Sequence, residues 1–339
     1  MCGIYGFIGK STNHTKVLEI MESLGIESEV RGIHATGYYG LNSVPISAKA
    51  PMKATNFFKT LAWQDLYVTS PLTILVGHNR WATNGDPQDN ENNHPFTTNR
   101  FGFVHNGVVS SVKPDMDITC RSKCDSEKIF RYFLKRFYND HNTFHSIEKT
   151  MKVFDKGGDY ACALVDAKER LLYLFRNDGR PMNYIKVESL GVIFYASTSD
   201  IIKNAFLING IKFDSSKCYS LKCGQILRID ENLEKHSEFV AIEKPTKIIK
   251  YYIPSTSSFP KSYHFPKAKN TNNWYECKKC KKQFLNAQYA KKHIEDEHKI
   301  VDVEKIENLI VAPGGGTVTF TQKPVQTSLL NKLTSWMDG

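Results

Sequence analysis

Apolar residues recur along the first 240 positions in two rhythms. Residues 2–8 set Ile4, Tyr5, Phe7 and Ile8 among glycines, while residues 73–76 and 101–109 are nearly continuous apolar runs. Short runs of this kind, rich in β-branched and aromatic side chains, predict buried or half-buried strands. Residues 125–138 follow another period. There Ile129, Phe130, Phe133, Leu134 and Phe137 return at steps of three and four, predicting a helix with one apolar face. A strand pair follows at 159–165 and 171–176 around a polar turn, with one more strand at 191–197. Strands mixed with helices predict an α+β domain over residues 2–240.

Both rhythms stop after that. Residues 241–273 carry Pro245, Pro254, Pro260 and Pro266 among Ser, Thr, Asn and Lys, the composition of an extended linker. Tyr251, Tyr252, Phe259, Tyr263 and Phe265 interrupt its polarity. They are read as packing along the first domain, with stacking on nucleic-acid bases as the alternative. Residues 300–339 form a tail, broken by Ala312-Pro313-Gly314-Gly315-Gly316. Near its end Leu329, Leu330, Leu333, Trp336 and Met337 share one side of a short predicted helix, which Thr327 or Ser328 can cap. Such a stripe folds back on its own protein or docks to a partner.

Between linker and tail, residues 274–299 hold Tyr275-x-Cys277-x-x-Cys280-x-x-x-Phe284, then His293 and His298. Twelve residues separate the Cys pair from the His pair, and four separate the histidines. This is the spacing of a two-Cys two-His zinc finger, a small ββα unit in which two thiolates and two imidazoles close a tetrahedron around structural zinc. Ala290 stands where such fingers usually have Leu, so the core is thin and folding leans on the metal. The alternative is a pair of unmetallated thiols near two surface histidines.

Charge adds a partner class. Residues 241–300 contain thirteen Lys and five acidic residues, a net of +8, against +10 for all 339 residues. The first domain is therefore near neutral, and the basic stretch attracts phosphates. Asn286, Tyr289 and Lys292 occupy the base-reading positions of a finger helix. A single finger buries only about 600–1,000 Å² on DNA, so nucleic acid and protein docking rank together.

The chemistry concentrates elsewhere. Cys2 follows Met1 directly, and a small second residue permits removal of the initiator, leaving a thiol and a free α-amine on one residue. The amine has a reference pKa of roughly 7.7–8.0 and can serve the thiol as its base. The alternative for Cys2 is a buried small hydrophobe. Four later segments answer it, together with Arg31-Gly32-Ile33-His34-Ala35-Thr36-Gly37. They are Gly77-His78-Asn79-Arg80-Trp81-Ala82-Thr83-Asn84-Gly85, Asn93-His94-Pro95, Val104-His105-Asn106-Gly107 and Cys124-Asp125-Ser126-Glu127.

In this order the segments resemble the class II glutamine amidotransferase domains, the glutaminase halves of glucosamine-phosphate synthase, the phosphoribosyl-pyrophosphate amidotransferase and asparagine synthetase. The resemblance covers roughly residues 2 to 235. It implies a four-layer αββα N-terminal-nucleophile hydrolase sandwich that hydrolyses L-glutamine without a catalytic cofactor. Cys2 is then the nucleophile, the Asn106 side chain and Gly107 amide hold the oxyanion, Arg80 grips the substrate carboxylate, and Asp125 and Thr83 receive its α-amine. A planar guanidinium suits that grip because it can hold a carboxylate through two parallel hydrogen bonds. Read without the resemblance, Asn106-Gly107 is a hairpin turn, Arg80 a surface ion pair and Asp125 a helix N-cap.

Some positions depart from the family pattern. Asn79 replaces the commonest Thr, Asn84 a frequent His, and His34 the Asp of the Arg-Gly-x-Asp-Ser-x-Gly version. Arg31 and Gly32 are kept, read here as serving the backbone of their turn, and His34 is read as a packing residue. Family synthases add a large acceptor domain, yet only about a hundred residues follow residue 240 here. The expected protein is an amidotransferase subunit whose zinc module recruits the ammonia acceptor, either a separate enzyme or nucleic acid. The alternatives are a stand-alone γ-glutamyl amidohydrolase and a non-catalytic binding protein on this scaffold. With no signal peptide or membrane-spanning run, and eight cysteines of which three need reduction, the expected location is cytoplasmic.

Overall fold

The computed structural model describes residues 2–241, 275–280, 283–284, 291, 294–295 and 297–311. They fall in two compact units, Met1–Lys250 and Tyr251–Gly339. The linker aromatics, the finger positions Asn286, Tyr289, Ala290, Lys292 and His293, and the tail helix lie outside the described residues.

In the first unit the strands, in chain order, are β1 (Gly3–Ile8), β2 (Ala35–Leu41), β3 (Pro45–Ala50), β4 (Ile74–Arg80), β5 (Phe96–Thr97), β6 (Phe101–Val108) and β7 (Asp159–Asp166). Then come β8 (Leu171–Arg176), β9 (Asn183–Val187), β10 (Val192–Ala196), β11 (Cys218–Ser220), β12 (Gln225–Asp230) and β13 (Lys235–Phe239). They make two antiparallel sheets, one ordered β11-β9-β10-β1-β4-β2-β3 and the other β13-β12-β8-β7-β6-β5. The helices are α1 (His14–Glu27), the single turns α2 (Ala54–Phe57) and α3 (Leu61–Gln64), α4 (Ser126–Asp140), α5 (Thr143–Phe154) and α6 (Ser199–Ile208).

Three apolar clusters stack these elements into helix, sheet, sheet and helix layers. Ile4, Ile8, Tyr39, Ile74 and Val76 of the first sheet pack with Val104, Ala163, Leu172 and Leu227 of the second. Val17, Leu18, Met21 and Leu24 of α1 and Ile202 and Phe206 of α6 cover the outer face of the first sheet, against Tyr5, Phe7, Leu75 and Phe194. The predicted stripe of α4 (Ile129, Phe130, Phe133, Leu134, Phe137) covers the other sheet through Phe101, Phe103 and Phe175. Each such side chain contributes about 1.5–3 kcal/mol on burial. Asn142 caps α5 by accepting from the His145 amide, which starts that helix one residue later.

The pairing decides where the chemistry lies. Gly3 stands opposite Asn79 and Ala35 opposite Arg80, so the starts of β1 and β2 flank the end of β4. Gly107 stands opposite Tyr160, which puts the end of β6 beside the start of β7. Among the described residues no helix is long and apolar enough to cross a membrane.

In the second unit, the strands Tyr275–Cys277 and Gln283–Phe284 pair as a hairpin, with Tyr275 opposite Phe284. The strand Ile310–Val311, carried by the helix Val303–Leu309, adds to the other edge with Cys277 opposite Ile310. This third strand lies beyond the expected ββα unit. Alternation over two residues is too short to be visible in sequence.

Candidate active site

The two sheets meet at Cys2. Its backbone nitrogen donates to Oδ1 of Asn106 at 3.1 Å, and its carbonyl accepts from Nε of Arg31 at 2.8 Å. The Cys2 thiol is half-buried, 3.4 Å from the Trp81 amide nitrogen and 3.6 Å from the Trp81 carbonyl. Arg31 therefore also acts through its side chain, beyond the backbone role read for this turn. Gly32 does serve the backbone: a Cβ there would lie 2.5 Å from the Arg80 carbonyl carbon. His34 packs as expected, stacked on Trp81 with ring centroids 4.8 Å apart, and its Nδ1 accepts from the Ala82 amide.

Asn106 and Gly107 lie inside β6, so they do not form a hairpin turn. With Oδ1 held by the Cys2 nitrogen, Nδ2 of Asn106 is buried and has no partner among the described residues. A buried amide donor left open costs free energy unless something accepts from it, so this donor is poised for an oxygen atom. Gly107 is required by contact: a Cβ would sit 1.8 Å from the Asp159 carbonyl oxygen. A chain tracing this close to Asp159 admits no side chain there.

Arg80 is buried at 2% exposure and makes no surface ion pair. Its Nη1 donates to Oδ1 of Asn93 at 2.9 Å, and its Nη2 to the carbonyls of Gly85 at 3.0 Å and of Asn84. Three of its five N–H donors thus fold the loop over residues 81–93, which leaves two for a ligand. Thr83 is exposed on that loop. Asp125 stands at the N-cap position of α4 without a side-chain cap bond; its Oδ2 accepts instead from the Val109 amide at 2.8 Å.

Burial raises the Cys2 thiol above its usual range, while the Trp81 backbone and the Arg80 charge pull it back. Beneath the site three histidines are buried. Burial holds His78 down to about 3, and also lowers His94 and His105. His78 Nε2 lies 3.0 Å from the His105 carbonyl, and its ring centroid is 3.9 Å from that of His94, the two planes tilted by 31°.

No family model matches the chain. Glutamine–fructose-6-phosphate aminotransferase (isomerizing) of Oceanobacillus iheyensis is 32% identical over 184 residues, covering 52% of this chain and 29% of that protein. The Chlamydia trachomatis enzyme of the same name is 26% identical over 259 residues, 74% of this chain and 39% of its own. The chain thus spans between 29% and 39% of these relatives' length. Among solved structures, the glutamine phosphoribosylpyrophosphate amidotransferase of B. subtilis, complexed with ADP and GMP, superposes with a TM-score of 0.52 at 16% identity, over 71% of this chain and 50% of that one. The structure of the allosteric regulatory enzyme of purine biosynthesis gives 0.54 at 16% identity, with the same coverage. The first unit has an amidotransferase fold.

The amidotransferase-like domain gains connections that its motifs do not announce: the Asn93 carboxamide on Arg80, the Trp81 backbone beside the Cys2 thiol, and Asp159 against Gly107. None belongs to a periodic pattern; Asn93 and Trp81 stand inside the motif segments, which named them without a role, and Asp159 stands outside them.

The second unit brings Cys277, Cys280 and His298 together, their ligand atoms all within 4.8 Å of one another. Cys277 Sγ lies 3.3 Å from His298 Nε2. Zn–S of about 2.3 Å and Zn–N of about 2.0–2.1 Å give a tetrahedral S···N edge of about 3.5–3.6 Å, within about 0.3 Å of this separation. Two thiols and an imidazole are also the donor set zinc prefers.

Proposed function

We propose that residues 2–240 form a glutamine-hydrolysing amidotransferase unit with Cys2 as its N-terminal nucleophile. Met1 lies outside the described residues, and the reading requires its removal, which turns the Cys2 nitrogen into an α-amine. That amine takes the thiol proton, Sγ bonds to the side-chain carbonyl carbon of glutamine, and the carbonyl electrons move onto oxygen. The oxyanion is received by Nδ2 of Asn106 and the N–H of Gly107. The carbon–nitrogen bond then breaks, the amine returns its proton to the leaving nitrogen, and ammonia departs from a γ-glutamyl thioester. Water cleaves the thioester to glutamate and restores the thiol. Arg80 supplies its positive charge and a remaining N–H donor to the substrate carboxylate, and Asp125 and Thr83 receive its ammonium.

The observation that carries this reading is the Asn106 carboxamide. Its oxygen is fixed by the nucleophile's own nitrogen, and its NH2 is buried without a partner among the described residues. The test is ammonia release from glutamine by mature wild type and Cys2→Ala, paired with the intact mass of the N-terminus. Equal release by both proteins sinks the assignment. Rapid turnover by the isolated protein would favour the stand-alone hydrolase over the subunit.

We further propose that Cys277, Cys280, His293 and His298 hold structural zinc, which would supply folding free energy to the second unit. The shape and basic surroundings of that module suit it to recruit the ammonia acceptor, a partner protein or nucleic acid, in the cytoplasm. Titration of duplex and single-stranded probes at several salt concentrations checks the nucleic-acid branch. Absence of a salt-dependent shift at micromolar protein leaves protein docking.

A further inference from the structure

Asp159, first residue of β7, reaches the end of β6 in three ways. Its Oδ1 accepts from the Val108 amide at 2.8 Å. Its carbonyl oxygen occupies the space a Gly107 Cβ would need. Its Oδ2 is 2.9 Å from Nη2 of Arg180, in an ion pair whose side chains are only 17% (Arg180) and 26% (Asp159) exposed. The loop carrying Arg180 is itself tight on Asp159, since a Cβ on Gly179 would stand 2.3 Å from the Asp159 Cβ. Asn177 completes the support: its Oδ1 accepts from the Tyr160 amide at 3.0 Å, and its Nδ2 donates to the Gly158 carbonyl at 2.8 Å.

We propose that Asp159, neutralised by Arg180, is a positioning residue that fixes the Gly107–Val108 peptide and so aims the Gly107 N–H at the developing oxyanion. This rests on the glutaminase reading. The next amide, Val109, is held by Asp125, so two carboxylates pin consecutive N–H groups and leave the Gly107 N–H as the one presented to substrate. The arrangement has an electrostatic consequence. A carboxylate one residue from an oxyanion hole opposes the negative charge forming there, and its low-dielectric surroundings strengthen the opposition. Arg180 removes that penalty while Oδ1 keeps its grip on Val108.

The sign of the charge effect separates this role from plain structural support. Arg180→Gln leaves the carboxylate uncompensated and is expected to lower kcat for glutamine about tenfold with little change in KM. Asp159→Asn keeps an acceptor for Val108 without the charge. The double variant Asp159→Asn/Arg180→Gln is therefore expected to recover kcat to within about threefold of wild type, beyond what independent effects allow. Alkylation of Cys2 by iodoacetamide, which needs no oxyanion hole, should proceed at the wild-type rate in all three and reports that the site is folded. A double variant as slow as Arg180→Gln or slower overturns the proposal, as does a change confined to KM. If Arg180→Gln fails to fold, Asp159→Ala decides: unchanged kcat rejects the role, and a loss of about tenfold or more at constant KM supports it. Wild type that releases no ammonia overturns the glutaminase reading, and this inference with it; normal wild-type turnover with no rescue overturns this inference alone.

Discussion

The Cys2 nitrogen and the Asn106 carboxamide oxygen lie 3.1 Å apart and join the two sheets across their facing ends. The same bond orients the nucleophile's residue and leaves the buried Asn106 NH2 without a partner among the described residues. Asn106→Asp keeps the acceptor but replaces the donor by a second negative oxygen. It is expected to lower kcat about 10²–10³-fold, equivalent to about 2.7–4 kcal/mol of transition-state stabilisation, with KM nearly unchanged. Steady-state ammonia release measures this; retention of more than a tenth of the wild-type kcat would remove Asn106 from the oxyanion hole.

Arg80 carries two duties on one guanidinium, folding the loop over residues 81–93 and offering its remaining donors to substrate. Lysine has a point charge on a flexible stem and cannot reproduce the fork. Arg80→Lys should raise KM for glutamine at least about tenfold, the loss of one charge-assisted contact of about 1.5–3 kcal/mol. Asn93→Ala, which removes one of the loop bonds, should produce a smaller change in the same direction. A variant with wild-type KM would separate Arg80 from substrate binding.

How much of this was legible beforehand depends on pattern. The α4 stripe and strands β4, β6, β7, β8 and β10 follow from periodicity because each buries one continuous set of side chains. Strand β2 was not foreseen: Ala35-Thr36-Gly37-Tyr38-Tyr39-Gly40-Leu41 is buried along its whole length, so it shows no alternation, and its glycines and threonine read as a turn. Residues met through motifs, such as Cys2, Arg80 and Asn106, were nameable from sequence. Arg31 and Asn93 also stand in those motifs, but their bonds to Cys2 and Arg80, like that of Asp159 to Val108, are contacts of 2.8–2.9 Å that no local pattern encodes.

Stability should depend on acidity through the three buried histidines. Each has its folded pKa lowered by burial, His78 to about 3, whereas an unfolded histidine titrates near 6.5. Above pH 6.5 both states are neutral and nothing is lost. Below it the unfolded chain gains protons that the fold refuses, so stability falls toward the folded values, by up to about 1.4 kcal/mol per unit for each histidine. Thermal unfolding between pH 8 and pH 4.5 should show a flat region above about 7 and a steep fall below about 6. His94→Phe, which keeps an aromatic ring against His78, should soften the fall; a slope unaltered by it would place the acid sensitivity elsewhere.

In the second unit, the strand Ile310–Val311 pairs beside Cys277, and the Lys278 amide donates to the Leu309 carbonyl at 2.9 Å. If zinc is held by Cys277, Cys280 and His298, this outer strand braces the knuckle that presents the thiolates. A protein ending at residue 300 should bind zinc at least about tenfold more weakly than the full chain, in competition with a chromophoric chelator, because it loses several buried main-chain bonds of about 0.5–1.5 kcal/mol each. His298→Ala should lower affinity further. Undiminished zinc content in both would show that the metal, if bound, uses other donors.

Gly107 faces the most severe steric limit in the site. A methyl group there meets the Asp159 carbonyl oxygen at 1.8 Å and Nε2 of His105 at 2.6 Å, and the first of these is backbone. Neither neighbour can rotate away, so the ends of β6 and β7 must separate, which also strains the Val108 bond to Asp159 and opens the distance between Asn106 and Cys2. Overpacking of this kind costs about 1–3 kcal/mol, a lowering of Tm by about 2–12 °C for a domain of this size. The catalytic loss should exceed the loss of stability, because the displaced peptide is the one that supplies the oxyanion donor. Gly107→Ala is thus expected to remain folded at 20 °C by circular dichroism yet to turn over glutamine less than about one-hundredth as fast. Wild-type turnover in a folded variant would mean that the chain end yields more easily than the contacts allow, and that Gly107 serves packing alone.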